Sequence, residues 1–302
     1  MSKKTGRNKK GHVFWSAVQI IALLAAFALV VMMGVRYLEE QKAQAAYESL
    51  AESVHISVSE TPEPTETPTP TPSPEPTVSL SELEAAPYTL RDGEAPVISA
   101  ELKLPTVENP IDFDALQAIN PELYAWITIE DTVIDYPVAQ RVGDREFYLY
   151  HNMYGEAQFA GCIYSEDYNT TDFSDPLTVL YGHNMKNGSM FQNLHKFESR
   201  TFFNEHETFY VYTKGHRYNY RVFAAYSFDD RHLLASFDSK DPELFAQYLY
   251  DVEHNYSVTG FFRDGIELDE NSKVLTLCTC VGTGETRRYL VQAVLESVYD
   301  TN

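Results

Sequence analysis

A thiol, an imidazole and a guanidinium stand at the ends of apolar segments in this chain, and together they are the parts for acyl transfer. The thiol is Cys280, which closes the run Lys273 to Cys280 (KVLTLCTC). After the short stretch Val281 to Thr286, which holds Gly282 and Gly284, the paired arginines Arg287 and Arg288 open a second apolar run. Two strands joined by that Gly-containing turn form a hairpin, which brings Cys280 and one arginine to the same mouth of a sheet. Positive charge beside a thiol favours thiolate, the nucleophilic form. The imidazole is His183, directly after the strongly apolar Pro176 to Tyr181 and before the polar turn Lys186-Asn187-Gly188. A strand end opening into a loop is where chemistry sits on a rigid scaffold. In such a site the thiolate attacks a carbonyl, the imidazole moves the proton, and the guanidinium stabilises the oxyanion or holds substrate. Each residue alone has an ordinary reading: a core cysteine, a turn-capping histidine, a solvated arginine. Their joint placement favours the functional one.

The elements that must position these groups are mostly short strands. Val274, Thr276, Cys278 and Cys280 alternate with Leu275, Leu277 and Thr279, a strand buried on at least one face. Cys278 and Cys280 therefore share a face, and a bridge between them would be strained. Further strands are expected at Trp126–Ile129, Val133–Val138, Phe147–Tyr150, Gly161–Ser165, Phe209–Thr213 and Tyr218–Ser227. A short helix is expected over Asp112–Ile119, with Phe113, Leu116 and Ile119 on one side. A second helix starts at Asp241, an N-cap followed by Pro242, with an apolar stripe of Leu244, Phe245, Tyr248, Leu249 and Val252. Many strands at regular spacing with few helices predict a mainly β protein, a barrel with helical insertions.

The 302 residues carry a formal charge of −21. The first 35 hold five basic and no acidic side chains, which leaves 18 basic against 44 acidic residues in the remainder. So acidic a surface excludes nucleic acid or an anionic membrane as its main partner. The three cysteines, Cys162, Cys278 and Cys280, make no disulfide framework, and no His/Cys spacing suggests a metal site. No cofactor is implied.

Residues 1–12 read as a cytoplasmic basic tail. Val13 to Val35 has no charged residue over 23 positions, long enough to cross roughly 30 Å of hydrocarbon. The preceding basic cluster keeps the N-terminus in the cytoplasm and sends the bulk outward. Ala43-Gln44-Ala45 resembles a cleavage site, but the apolar run exceeds a usual signal core, and an uncleaved anchor is expected. Residues 36–104 read as an extracytoplasmic stalk, with helix formers over 36–53 and seven of the fifteen prolines in 61–77. Such a Pro-rich segment is an extended spacer of roughly 50 Å. The folded domain is expected at 105–302.

At AINPELYAWITIEDTVIDYPVAQ (118–140), FYLYHNMYGEAQFAGCIYSE (147–166), LYGHNMKNGSMFQNLHKF (180–197), and TLCTC followed by RRYLV (276–291), the chain resembles the class B sortases. These are membrane-anchored cysteine transpeptidases of Gram-positive bacteria. The resemblance implies a closed β-barrel of about eight strands with N-terminal helices and one long helix before the last two strands, preceded by a transmembrane helix. It places the family's histidine on His183, its nucleophile on Cys280 and its arginine on Arg288, with Arg287 the alternative. Tyr181 and Cys278 fall on positions that line the substrate groove. The implied substrate is a secreted protein with a C-terminal sorting signal like Asn/Ser-Pro-x-Thr-Gly/Asn/Ser. It is cut after threonine and passed to a peptidoglycan amine or a pilin lysine. Val281 and Gly282 stand where some members carry acids, so no required carboxylate partner for His183 is expected unless Glu285 serves. Two other functions fit the residues read without the family. One is a secreted cysteine endopeptidase, in which water takes the acyl group. The other is a non-catalytic wall-binding domain on a stalk.

Overall fold

The computed structural model describes residues 8–56, 104–282 and 286–302. The Pro-rich 61–77 and Glu285 lie outside them. Helix α1, Asn8–Val54, is 47 residues long. From Phe14 to Leu38 its large apolar side chains are exposed, and the helix is long and apolar enough to cross a membrane. Further on, Ala43, Tyr47, Leu50 and Val54 recur at helical spacing and are buried in the core. The Tyr47 hydroxyl donates to the Gly161 carbonyl at 2.6 Å, and the Tyr47 ring meets Tyr136 edge-on. The folded unit therefore starts within α1 rather than at residue 105. Residues 43–54, expected as the beginning of a stalk, are part of it.

The end of α1 is tied to the chain's return. His55 bridges Ile111, Ile56 N–H donates to the Pro110 carbonyl at 2.7 Å, and Asp112 N–H to the Val54 carbonyl at 2.8 Å. Residues 54–56 thus meet residues 110–112. Helix α2, Phe113–Ile119, follows, capped by the Asp112 side chain accepting from Ala115 N–H at 2.9 Å. It buries Phe113 and Leu116, while Ile119 stays exposed at its last turn.

Among the described residues there are ten strands: β1 Thr106–Val107, which precedes α2, then β2 Leu123–Thr128, β3 Asp135–Ala139, β4 Ile163–Tyr164, β5 Leu177–Tyr181, β6 Thr208–Thr213, β7 His216–Phe228, β8 Phe261–Phe262, β9 Val274–Cys280 and β10 Arg288–Thr301. Eight of them, in the order β10-β9-β5-β4-β3-β2-β6-β7, close into a barrel through the β7–β10 pairing. β1 and β8 add to the outside of β10 and β7. Closure removes free barrel edges.

Two further expectations change. Phe147–Tyr150 is not a strand but a 3₁₀ turn over Phe147–Leu149. Only Tyr148 of this stretch is buried; Phe147 instead stacks on His151, ring centroids 3.8 Å apart, and takes the Arg141 guanidinium on its face. Those contacts replace the alternation of a strand. Before the last two barrel strands lies α5, Pro242–Asp251, reached after the short helices α3, Arg200–Glu205, and α4, Leu233–Ser236. Asp241 caps α5 by accepting from Glu243 and Leu244 N–H, with Pro242 in its first turn. Phe245, Tyr248, Leu249 and Val252 are buried, whereas Leu244 is 55% exposed on the outer side of that turn. A polar cluster locks α5 to the barrel: Gln292 donates to the Tyr248 hydroxyl at 2.6 Å and to Thr276 Oγ1 at 2.8 Å, and accepts from the Tyr226 hydroxyl at 3.0 Å. Leaving one of these buried groups without its partner costs about 1–3 kcal/mol.

Candidate active site

Strand pairing brings the three groups to one rim. β5 and β9 run parallel, Leu177 beside Val274 through Tyr181 beside Cys278, so their C-terminal ends emerge together. His183 follows β5 and Cys280 ends β9. β10 runs antiparallel to β9 with Arg288 opposite Cys280, so it begins where β9 ends. Residues nearly a hundred positions apart thus become neighbours through backbone register alone.

Side chains complete the arrangement. Arg288 Nη1 lies 3.7 Å from Cys280 Sγ, and the same nitrogen donates to the Thr286 carbonyl at 2.8 Å. That second bond aims the guanidinium at the sulfur. Arg287, the alternative, is exposed, and its carbonyl accepts from Val281 N–H at 3.1 Å, closing the β9–β10 turn. His183 is held by Nε2, 2.8 Å from the Leu149 carbonyl. A carbonyl only accepts, so Nε2 carries a proton and Nδ1 is the nitrogen free to titrate. The ring lies against Phe159 and Tyr150, centroids 5.3 and 5.7 Å away. Burial lowers the His183 pKa below its usual 6.5, partly opposed by the bond to Leu149. The imidazole is therefore neutral at pH 7.

Cys280 is half-buried, whereas Cys278 and Cys162 are buried. Burial pushes the Cys278 thiol up to about 12, although Arg288 pulls the other way. Of two thiols on one strand face, only Cys280 reaches the opening. Tyr181 and Cys278 line the same cleft of about 300 Å³ as His183, Cys280 and Arg288. The Tyr181 hydroxyl is buried there without a hydrogen-bond partner. All five residues expected from the sequence are thus brought together. Among the described residues, no group of three or more His, Cys, Asp or Glu side chains could hold a metal ion.

Sequence reasoning missed the backbone supports. Asn184 Nδ2 donates to the Cys280 carbonyl at 2.9 Å, and His195 Nε2 donates to the same oxygen at 3.0 Å. His195 stacks on Tyr289 and pairs with Glu198 through Nδ1 at 2.7 Å. The two residues hold the end of β9 in place. The only available signal was that Asn184 follows His183; His195 looked like any surface histidine. Glu166 and His232 were missed as well. They pair at 2.6 Å along the 300 Å³ cleft, and burial raises the Glu166 pKa against the pull of His232. Gly182 is required by close approach: a Cβ there would lie 2.6 Å from Ile163 Cδ1 and 2.7 Å from Phe191 Cγ.

Comparison with known proteins identifies the family and the fold. A family model described as Sortase domain matches residues 127–296. Sortase B of Listeria monocytogenes is 33% identical over 165 residues, 55% of this chain and 65% of that protein, just under two thirds of its length. The crystal structure of Clostridium perfringens sortase B superposes with a TM-score of 0.55 at 33% identity, covering 62% of this chain and all of that one. Sortase B from Bacillus anthracis, solved in complex with AAEK1, gives 0.55 at 31% identity over 64% of this chain and 89% of that one. The chain belongs to the sortase family, in its class B branch.

Proposed function

We propose that this chain is a cysteine transpeptidase anchored in the membrane through α1, with an extracytoplasmic catalytic domain. It acts on secreted proteins that carry a C-terminal sorting signal of the Asn/Ser-Pro-x-Thr-Gly/Asn/Ser kind. The observation that carries the reading is the Arg288–Cys280 contact at 3.7 Å on a rim shared with His183. Cys280 Sγ attacks the threonine carbonyl, and its proton passes to His183 Nδ1. The Arg288 guanidinium stands where negative charge develops. His183 then gives that proton to the leaving amine as the C–N bond breaks, and a thioester remains. An incoming amine of the cell wall, or a pilin lysine, attacks the thioester. His183 takes its proton and returns it to sulfur, so the enzyme ends as it began. The low pKa of His183 suits a group that must be neutral to accept the first proton.

The test is to trap the acyl-enzyme. The full chain in detergent is incubated with a panel of sorting peptides and its mass is read. One peptide class should add its N-terminal part to Cys280, Cys280→Ala should abolish the adduct, and added amine should convert it to an amide product. Release of free acid only, with amine present, would make the protein an endopeptidase. An undiminished adduct on Cys280→Ala would overturn the assignment of the nucleophile.

A further inference from the structure

A second cleft, of about 620 Å³, opens beside the first and shares only His183 and Cys280 with it. One of its walls is the loop Asn184–Asn187 after the histidine. The other is α1, through Met33, Arg36, Tyr37, Glu40 and Gln41. That wall is fixed to the domain: Asn187 Nδ2 donates to the Glu40 carbonyl at 3.3 Å, and the core contacts of α1 begin three residues later at Ala43. Three charged side chains border this cleft, namely Glu40, Arg36 and Lys186, and none has an ion-pair partner among the described residues. Among the described residues Glu40 is its only acid.

An acyl transfer with two substrates needs two approaches to one thioester. The acyl donor must occupy one side of the sulfur, and the amine must reach the same carbon past the base that deprotonates it. Two clefts meeting only at the thiol and the imidazole supply that arrangement. Resting on the transpeptidase reading, we propose that the cleft between α1 and the 184–187 loop receives the amine acceptor, with Glu40 as the residue that positions the incoming ammonium. Arg36 and Lys186 on the same cleft select an acceptor that also carries an anionic group, a carboxylate or a phosphate. Met33 belongs to the apolar run of α1, so the mouth of the cleft lies at the bilayer surface, within reach of an acceptor tethered there. Glu40 removes no proton in the reaction; the bound ammonium loses one proton to solvent, and His183 takes a second as the nitrogen attacks and passes it to sulfur.

The experiment separates the two half-reactions in the full chain in detergent micelles. Release of leaving peptide without amine reports acylation, and amide formation reports the second step. The amine probes are Nα-acetyl-lysine, its C-terminal amide and O-phosphoethanolamine, with neutral hydroxylamine as reference. Glu40→Gln should raise KM for all three amines roughly 10-fold to 100-fold, the loss expected for a hydrogen bond to a charged group. The hydroxylamine rate should keep its wild-type value. Wild type should prefer the two anionic amines over the lysine amide, and the double variant Arg36→Gln/Lys186→Gln should erase that preference. Gln41→Trp, which fills the cleft, should block all amines. An acyl-enzyme whose amine KM ignores both Glu40→Gln and Gln41→Trp overturns the acceptor assignment alone. Absence of any acyl-enzyme in wild type overturns the transpeptidase reading and the acceptor assignment with it.

Discussion

Cys280 and Arg288 sit directly opposite each other in the β9–β10 ladder, so the sulfur and the guanidinium are cross-strand neighbours on one sheet face. The pair depends on register. A one-residue slip of β10 would turn Arg288 to the barrel interior and bring Tyr289 to the thiol.

Replacing Arg288 with lysine keeps the charge but loses the planar fork that bonds the Thr286 carbonyl and the sulfur from one nitrogen. We expect kcat/KM with a sorting peptide to fall by about 10²–10³, the range for losing a placed oxyanion donor. Arg287→Lys should have little effect. Steady-state kinetics on the two variants checks this, and equal losses would contradict it.

The two thiols should differ in reactivity. Iodoacetamide should label Cys280 in the native protein, while Cys278, buried and pushed up to about 12, should label only after unfolding. Cys278→Ser should still form the acyl-enzyme. Peptide mapping after brief alkylation reads the outcome; preferential labelling of Cys278 would reverse the assignment.

His183 predicts a pH dependence. Its folded pKa lies below the unfolded 6.5, so between these values the unfolded chain binds more protons than the folded one. The contribution of this group to stability therefore rises with pH through that window and levels off above 6.5. His183→Gln should flatten the slope in denaturant titrations run from pH 5 to 7. In NMR the ring should titrate with a midpoint below 6.5, and a midpoint above it would be inconsistent with the buried environment.

Gly182→Ala should damage fold and site together. The new methyl group meets Ile163 and Phe191, both fully buried. Overpacking of this kind costs about 1–3 kcal/mol. Because residue 182 immediately precedes His183, activity should drop further than the melting temperature alone explains. Calorimetry beside the peptide assay checks both.

Tyr47→Phe removes the hydroxyl that bonds Gly161 and should cost about 1 kcal/mol, whereas Tyr47→Ala should cost about 3–5 kcal/mol. The alanine variant should also loosen α1 from the barrel, seen as faster amide exchange over 43–54. Unchanged exchange there would mean that the helix is held by other contacts.

Much of the barrel was legible because its strands are continuous apolar runs. β5 and β9 read clearly for that reason, and the motif residues mark their ends. The cap and proline of α5 were equally plain. What escaped was carried by partners remote in sequence. The buried stripe Ala43, Tyr47, Leu50 and Val54 is diluted by alanines and charges, so the sequence reads there as a helical start of the stalk rather than a docked helix. The turn at Phe147–Leu149 has strand-like composition, but Arg141 and His151 claim Phe147, and the Leu149 carbonyl goes to His183. His195 and Asn184 matter only because β9 ends beside them.

The bridge between His55 and Ile111 fastens the end of α1 to the chain just before α2. Lengthening or trimming residues 57–103 therefore leaves the separation of α1 from the barrel untouched. What separates the exposed apolar run of α1 from its docked end is instead the helical rise from Val35 to Ala43, about 12 Å at 1.5 Å per residue.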